Sequence, residues 1–308
     1  MMHDATPRLS ALMTAAPYVE MFRGQVFVVK LGGRLVDQPE TVAGIVQQLR
    51  VLHAFGIRLC VVHGGGEAAT ALGEKLGVQA EFVNGRRITD DAMLDVVRMS
   101  FAGDLSTRLS AAAREAGLPA VGLTGIDGGL INADRRPPVT LTDQDTGVER
   151  DVDFGNVGDV QGIDPAVLTG LMDQGKVPLV ASLGADRQGN ILNINGDTIA
   201  AQLAAALGAA KLVLLTTADG VMRDPSDPYS LISYMDIAEC DALMAEGVIK
   251  GGMIPKLQTC KMAIEAGVPR AHIVSGLEPM TLLREVFTNE GAGTLLVAGK
   301  SDLSPGEA

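Results

Sequence analysis

Gln25-Val26-Phe27-Val28-Val29-Lys30-Leu31-Gly32-Gly33 drives an apolar run straight into two glycines, and Arg58-Leu59-Cys60-Val61-Val62-His63-Gly64-Gly65-Gly66 repeats the pattern. Short, nearly continuous apolar runs read as strands buried on both faces, the kind found in parallel sheets. Helical spacing follows each run, at 39–55 and up to residue 76. Working outward, the alternation continues with helix 164–174, strand 177–182, helix 197–207, strand 211–216 and helix 237–246. Helix 252–266, strand 271–275, helix 279–287 and strand 293–297 complete it. Asn84-Gly85 reads as a hairpin turn, Asp90 or Asp91 caps a long helix to 116, and short strands are expected at 119–123, 128–133, 138–142 and 148–153. A turn at Asp186-Arg187-Gln188-Gly189 precedes Ile191-Leu192-Asn193. Strand–helix alternation with short connections predicts an α/β protein with a mainly parallel, helix-covered sheet.

Composition narrows the class. The 308 residues are 47% hydrophobic but only 3% aromatic, with no Trp, so the core must be aliphatic. A formal charge of −12 argues against a nucleic-acid surface, which needs clustered Lys and Arg. It leaves room for a local cationic site and an anionic substrate. Cys60, Cys240 and Cys260 form no CxxC pair, so neither a disulfide framework nor a zinc site is indicated, and no metal-binding set is assigned. Cys60 reads as core. The amino terminus lacks a signal-peptide pattern and no run of eighteen apolar residues occurs, so a cytoplasmic protein without a membrane partner is expected.

Two lysines stand in chemistry-bearing contexts. Lys30 precedes Gly32-Gly33, and Lys256 closes Lys250-Gly251-Gly252-Met253-Ile254-Pro255-Lys256. Phosphoryl transfer needs fixed cations around the charge that spreads over the transferred group. His63-Gly64-Gly65-Gly66 opens a helix, where successive N–H groups make an anion site. His63 itself reads as a packed strand-end residue. Arg86-Arg87 follows a turn, and an arginine fork suits a carboxylate substrate. Asn193, Asn195 and Asp197 alternate towards one cleft, with Asp197 placed to orient two lysines or to cap the helix. Thr216-Thr217-Ala218-Asp219-Gly220 ends a buried strand and suits a nucleotide wall.

Rival motifs are weaker. Gly64-x-Gly66-x-x-Ala69 matches the dinucleotide fingerprint, but the acidic candidate, Glu81, falls in the hairpin rather than at the end of a second strand. No P-loop occurs, and Asp153-Phe154-Gly155 lacks the catalytic loop that would make it a protein-kinase signature.

In order along 20–298, Val28-Val29-Lys30-Leu31-Gly32-Gly33, His63-Gly64-Gly65-Gly66, Asn84-Gly85-Arg86-Arg87-Ile88-Thr89 and Leu123-Thr124-Gly125-Ile126-Asp127-Gly128-Gly129 are followed by three further motifs. These are Asn193-Ile194-Asn195-Gly196-Asp197, Gly252-Met253-Ile254-Pro255-Lys256 and Phe287-Thr288-Asn289-Glu290-Gly291-Ala292-Gly293-Thr294. The set resembles the acetylglutamate kinases of the amino acid kinase family. The resemblance implies an open three-layer α/β/α sandwich and ATP-dependent phosphorylation of the side-chain carboxylate of N-acetyl-L-glutamate, in arginine biosynthesis.

It also implies roles by position. Lys30 and Lys256 stabilise the transition state and Asp197 orients them. Gly32, Gly33, Gly65 and Gly66 present N–H groups to phosphate and substrate, and Arg87, Asn193 and Asn195 bind substrate. Thr216, Thr217, Asp219 and Gly220 face the nucleotide, and Mg2+ arrives with ATP. Residues 24–190 would form a substrate lobe and 191–298 a nucleotide lobe, followed by a tail, 299–308. The helix at 7–22, read as amphipathic, resembles the oligomerisation arm of arginine-inhibited members, so a homo-oligomer, a dimer or a hexamer of dimers, is expected. Tyr18, Lys211 and Glu290 are the candidate arginine-effector residues. The chain departs from the family pattern at Gly196 and Thr217, where alanine and aspartate are usual, and in a longer, more polar segment at 134–153. Three alternatives follow: a kinase of a carrier-linked aminoadipate or glutamate, which needs a basic groove of the Arg86, Arg87, Arg135, Arg136 kind; a nucleotide-sensing regulator; and an NAD-binding protein.

Overall fold

Residues 6–142, 149–288 and 291–299 are described in a computed structural model, with side chains from residue 13 onward. Elements in the first half are α1 (Thr6–Phe22), β1 (Val26–Leu31), α2 (Gly33–Val36), α3 (Pro39–Ala54), β2 (Arg58–His63), α4 (Gly66–Leu76), β3 (Glu81–Val83), β4 (Arg86–Ile88), α5 (Asp91–Arg98), α6 (Ser106–Ala116), β5 (Ala120–Thr124), β6 (Ile131–Arg135), β7 (Val139–Thr142) and β8 (Glu149–Val152). Then come β9 (Gly158–Ile163), α7 (Ala166–Asp173), β10 (Val177–Ala181), β11 (Leu183–Ala185), β12 (Ile191–Asn193), α8 (Gly196–Ala206), β13 (Lys211–Thr216), β14 (Tyr234–Asp236), α9 (Ile237–Ala245), α10 (Met253–Glu265), β15 (Ala271–Ser275), α11 (Thr281–Phe287) and β16 (Gly293–Val297).

Eight strands make the central sheet in the order β14-β16-β15-β13-β1-β2-β10-β5. Its pairs are parallel except β15–β16. Side chains alternate across a strand, and β1 shows the consequence. Phe27, Val29 and Leu31 enter one apolar layer with α3, α5 and α6, while Val28 enters the other with α7, α8, α9 and α10. Helices therefore cover both faces, giving the α/β/α sandwich. Cys60 is fully buried in the second layer, and desolvation pushes its thiol up to about 12.

The chain leaves β1 towards β2, β10 and β5, and later builds β13, β15, β16 and β14 on the other side. The strand order thus reverses between β1 and β13. In an open α/β sheet, ligands bind in the crevice beyond the strand ends at such a switch point. A smaller sheet, β12-β11-β6-β9, and the hairpins β3–β4 and β7–β8 stand beside it.

Several expectations change. The long helix runs through a π-turn at Met99–Leu105, which separates α5 from α6, and Asp90 is its cap, its carboxylate accepting the Met93 N–H at 2.8 Å. β9 and β14 escape a pattern search because β9 contains two glycines and β14 is three residues long. α1 lacks a single apolar stripe among its described side chains: Phe22 is buried, but Met13 and Met21 are 79% and 56% exposed, and Pro17 lies within the helix. Asn84 and Gly85, at φ 48° and 74°, make the primed turn expected of the β3–β4 hairpin. The 134–153 segment is largely the β7–β8 hairpin, and its residues 143–148 lie outside the described set. So do Glu290 and the tail beyond residue 299.

Candidate active site

Alternation along β1 decides where Lys30 points. It shares the face of Val28 and therefore meets α8, whose Ala200, Ala201 and Ala204 let the helix approach closely. Asp197 sits in the first turn of α8, and its Oδ1 lies 2.6 Å from Lys30 Nζ. Lys256, in the first turn of α10, brings its Nζ to 3.9 Å from the other oxygen, Oδ2. The three side chains are 12%, 14% and 25% exposed for Lys30, Asp197 and Lys256, so they are sheltered yet reachable. Burial acts to raise the Asp197 carboxyl, but the Lys30 and Lys256 ammoniums outweigh it and hold it below the usual carboxylate range. One carboxylate facing two ammoniums leaves a net positive charge, which suits an incoming phosphoryl group.

Asn195, not Asp197, caps α8. Its Oδ1 accepts the N–H groups of Asp197 and Thr198 at 2.8 and 3.0 Å. This frees the Asp197 carboxylate for the lysines and commits the Asn195 amide oxygen to the backbone. Gly196 opens α8 without a positive φ, and a methyl group there would lie 3.6 Å from Lys30 Cε and Ser182 Cβ, an ordinary contact.

Two glycine turns meet beside the lysines. A methyl group on Gly33 would lie 3.5 Å from Gly66 N. Gly66 opens α4, and the N–H groups of a first helical turn have no intrahelical acceptor. Gly65 is wedged from behind, since a Cβ there would sit 1.9 Å from Leu105 Cδ1 and 3.3 Å from Phe101. Gly32 plays a different part from the one expected: its N–H donates to Leu215 O at 2.9 Å and so extends the β1–β13 ladder. His63 is fully buried, and desolvation pushes its imidazole down to about 4, with the Gly64 carbonyl opposing, so it packs as a neutral ring.

Arg87 reaches this region from β4. One guanidinium nitrogen donates to Gly66 O at 2.6 Å and Thr70 Oγ1 at 2.8 Å, and the group lies 4.7 Å from the Phe82 ring centroid. Asn193, at the end of β12, donates from Nδ2 to Thr89 Oγ1 at 3.1 Å. Arg135 and Arg136 are paired with Asp153 and Asp159 at 2.8 and 2.5 Å, so the basic groove that a carrier-linked substrate needs is not built from them. Glu81 lies in the antiparallel β3–β4 hairpin, away from the central sheet, which removes the dinucleotide fingerprint's acidic partner.

On the other side of the switch point, Thr216 ends β13 buried, Thr217 is half-buried, Asp219 is exposed and Gly220 is buried. Gly220 is fixed by close approach, because a Cβ there would meet Leu231 at 2.6 Å and Thr294 Oγ1 at 2.8 Å.

Away from this cleft, Lys211 is buried at the start of β13. Its Nζ lies 3.2 Å from His272 Nε2 and 5.0 Å from the Phe22 ring centroid, and Tyr18 in turn packs on Phe22. His272 Nδ1 and Glu285 Oε1 are 2.6 Å apart, and Glu285 Oε2 accepts the Ala292 N–H at 2.5 Å. Burial acts to raise the Glu285 carboxyl, yet its hydrogen bond and charge partner His272, with the Ala292 N–H and Lys211, bring it to about 2. Sequence reasoning missed His272 and Glu285. Their only signal was a polar residue inside an apolar strand and an acid on the buried face of a helix. It also missed Ser182, buried beyond β10 with its Oγ beside Gly64 and Gly196.

A doubly covered parallel sheet with two lysines, one aspartate and two glycine turns converging at its switch point defines a phosphoryl-transferring α/β enzyme. Residues 25–275 match the amino acid kinase family, and the chain belongs to that family. It is 43% identical over 94% of its length to an acetylglutamate kinase of Myxococcus xanthus, covering 94% of that protein. An acetylglutamate kinase of Heliobacterium modesticaldum is 40% identical over 96% of this chain and 100% of its own. Among solved structures, N-acetylglutamate synthase from Neisseria gonorrhoeae, complexed with coenzyme A and N-acetyl-glutamate, superposes with a TM-score of 0.80 at 28% identity. That match covers 94% of this chain but only 63% of the synthase chain. A Giardia carbamate kinase, at 17% identity, a TM-score of 0.64 and 90% and 99% coverage of the two chains, shares the fold.

Proposed function

We propose that the chain phosphorylates the side-chain carboxylate of N-acetyl-L-glutamate with ATP, giving an acyl phosphate and ADP for arginine biosynthesis in the cytoplasm. The observation that carries this reading is the Lys30–Asp197–Lys256 arrangement, 2.6 and 3.9 Å across, at the mouth of the switch-point cleft. A carboxylate oxygen attacks the γ-phosphorus, the bond to the β–γ bridging oxygen breaks, and ADP leaves with the electron pair. The nucleophile is already ionised at neutral pH, so no general base is required. Lys30 and the Gly33, Gly65 and Gly66 amides serve the substrate and transferred phosphoryl. Lys256 serves the leaving side, and Asp197 holds the two ammoniums in place between transfers. Arg87 grips the substrate α-carboxylate, with Asn193 beside it, and Thr216, Thr217, Asp219 and Gly220 border the nucleotide.

Among the described residues, no group of three or more His, Cys, Asp or Glu side chains converges, and the Asp197 carboxylate is taken up by ammoniums. This donor set fits a magnesium ion carried by the nucleotide phosphates, with few protein ligands. When bound, the ion neutralises phosphate charge. Among the described residues no helix is long and apolar enough to cross a membrane.

Residues 24–190 form the substrate lobe and 191–298 the nucleotide lobe of one continuous domain, with 1–23 as an oligomerisation arm of a dimer or a hexamer of dimers. Arginine is proposed as an effector bound near Tyr18 and Lys211, with His272 and Glu285 now added and Glu290 kept as a candidate. The cation, imidazole and carboxylate already assembled there support it, as does the synthase structure in complex with L-arginine, alike at 25% identity and a TM-score of 0.78.

ATP turnover with N-acetylglutamate, trapping the acyl phosphate as its hydroxamate, tests the activity, with glutamate and aminoadipate run in parallel. No hydroxamate from N-acetylglutamate would end this reading. Activity that stays flat in millimolar arginine would end the effector proposal.

A further inference from the structure

Asp153-Phe154-Gly155-Asn156-Val157 contains the tripeptide that looks like a protein-kinase signature, and the structure gives the stretch another use. It threads between the hairpin that carries Arg87 and the strand that leads to Asp197. Thr89 donates its N–H to Phe154 O at 2.9 Å, and Asn156 donates its N–H back to Thr89 O at 2.6 Å. On its other side, Asn156 O accepts the Asn193 N–H at 2.8 Å. The Asn193 Nδ2 then closes a loop to Thr89 Oγ1 at 3.1 Å. The Asn156 side chain adds a third tie, donating from Nδ2 to Asp91 Oδ1 at 2.8 Å, in the first turn of α5.

Sequence detail agrees with a strap that is held closely. Gly155 has φ 69°, and a Cβ there would lie 2.4 Å from Thr89 O, so only glycine lets the two backbones touch. Thr89 is fully buried, and Phe154 anchors the strap in a small apolar cluster with Val83 and Val152. The spacing along the chain is short on both sides. Arg87 lies two residues before Thr89, and Asp197 lies four residues after Asn193, past the Asn195 cap.

We infer that Asn156 is a positioning residue that sets the distance between the Arg87 clamp and the Lys30–Asp197 reaction centre, and so selects the length of the dicarboxylate substrate. This rests on the reading in which Arg87 holds the α-carboxylate while the distal carboxylate meets the γ-phosphate. A substrate one methylene shorter or longer then places its distal carboxylate off the line of transfer. Discrimination of one methylene by a pocket is worth about 10–200-fold, and a misplacement of about 1 Å costs about a hundredfold in rate. The backbone ties hold the strap on the hairpin and on β12, and the Asn156–Asp91 bond fixes it against the α5 start, into which the hairpin leads.

The test is the relative kcat/KM for N-acetylglutamate, N-acetylaspartate and N-acetyl-2-aminoadipate, read by hydroxamate trapping in the full chain. Asn156→Ala should raise KM for N-acetylglutamate about tenfold, leave KM for ATP unchanged, and narrow the preference over the neighbouring homologues about tenfold. Asp91→Ala, which cuts the same tie from the exposed side, should reproduce the narrowing, and Asn156→Gln, which keeps a donor amide, should restore part of the preference. A purely structural role would lower melting temperature and kcat for all three substrates in proportion, and that result would overturn the inference. So would an unchanged preference in Asp91→Ala, a variant that keeps the backbone ties. Arg87→Ala separates the two levels: if it leaves KM for N-acetylglutamate unchanged, the clamp reading and the inference fall together. If it raises that KM while Asn156→Ala and Asp91→Ala leave the preference intact, the inference alone fails.

Discussion

Asp197→Asn isolates the part of the site that most depends on charge. In the folded protein one carboxylate faces two ammoniums, at 2.6 Å from Lys30 and 3.9 Å from Lys256. At an effective dielectric near 20, a unit pair about 4 Å apart attracts by about 4 kcal/mol. Desolvating three groups that are at most a quarter exposed offsets much of that, and removing one partner of such a set typically costs about 3–5 kcal/mol. An asparagine keeps one oxygen to accept from an ammonium, which restores about 1 kcal/mol. The net expectation is a loss of about 2–4 kcal/mol, seen as a melting temperature lower by roughly 3–6 °C in a chain this large.

Catalysis should suffer differently. Lys30 and Lys256, no longer held by one anion, point at the phosphoryl group only part of the time. kcat should fall about 10²–10³-fold, the scale of losing a preorganised electrostatic contact. KM for ATP should stay level or drop, because the variant presents one more net positive charge to the polyphosphate. Hydroxamate trapping at saturating N-acetylglutamate gives kcat, an ATP titration gives KM, and a thermal melt gives stability. A kcat within about threefold of the parent, in a variant that melts lower as expected, would refute the orienting role. A tenfold rise in KM for ATP with kcat preserved would move Asp197 into nucleotide binding instead.

Lys256→Ala should lower kcat by about a hundredfold or more with the fold retained, and a near-normal kcat would remove it from the transition state. Gly65→Ala should be far more harmful than its size suggests, because the new Cβ would fall 1.9 Å from the buried Leu105 Cδ1. About 1–3 kcal/mol of stability should be lost, together with most activity, as the turn and its amides shift. Gly196→Ala should instead raise stability by about 0.4–1 kcal/mol and leave kcat alone, since its Cβ would make only 3.6 Å contacts; a lowered melting temperature would contradict that geometry. Acid sensitivity should come in two windows, both from folded-state pKa values depressed below their free values. Neutral His63, at about 4, contributes stability that is complete above pH 6.5 and lost as pH falls towards 4. Ionised Glu285, at about 2, contributes stability present above pH 4.5 and lost as pH falls towards 2. Denaturant melts across pH 3–8 should slope accordingly, and the upper slope should flatten in His63→Asn.

What the sequence determined by itself follows from local chemistry. Short apolar runs such as 26–31 and 211–216, bounded by turn residues, read as buried strands, and the glycines after β1 and β2 mark sharp turns into helices. Asn84-Gly85 forces a primed hairpin, and Asp90 before an apolar-periodic run caps a helix. These need no knowledge of distant contacts, so the α/β class, the paired lysines and the Arg87 turn were legible. Tertiary structure alone decided what depends on partners far along the chain. Asn195 could win the cap of α8 because Asp197 is claimed by lysines 167 and 59 residues away in sequence. Gly32 spends its N–H on Leu215 because β13 lies beside β1, which no local pattern encodes. The strap at 153–157 looked like a chance tripeptide, for its meaning lies in two backbones it touches, at Thr89 and Asn193. His272 and Glu285 are likewise invisible until sheet and helix stack, because a buried polar pair is set by whom it meets and not by what surrounds it in sequence.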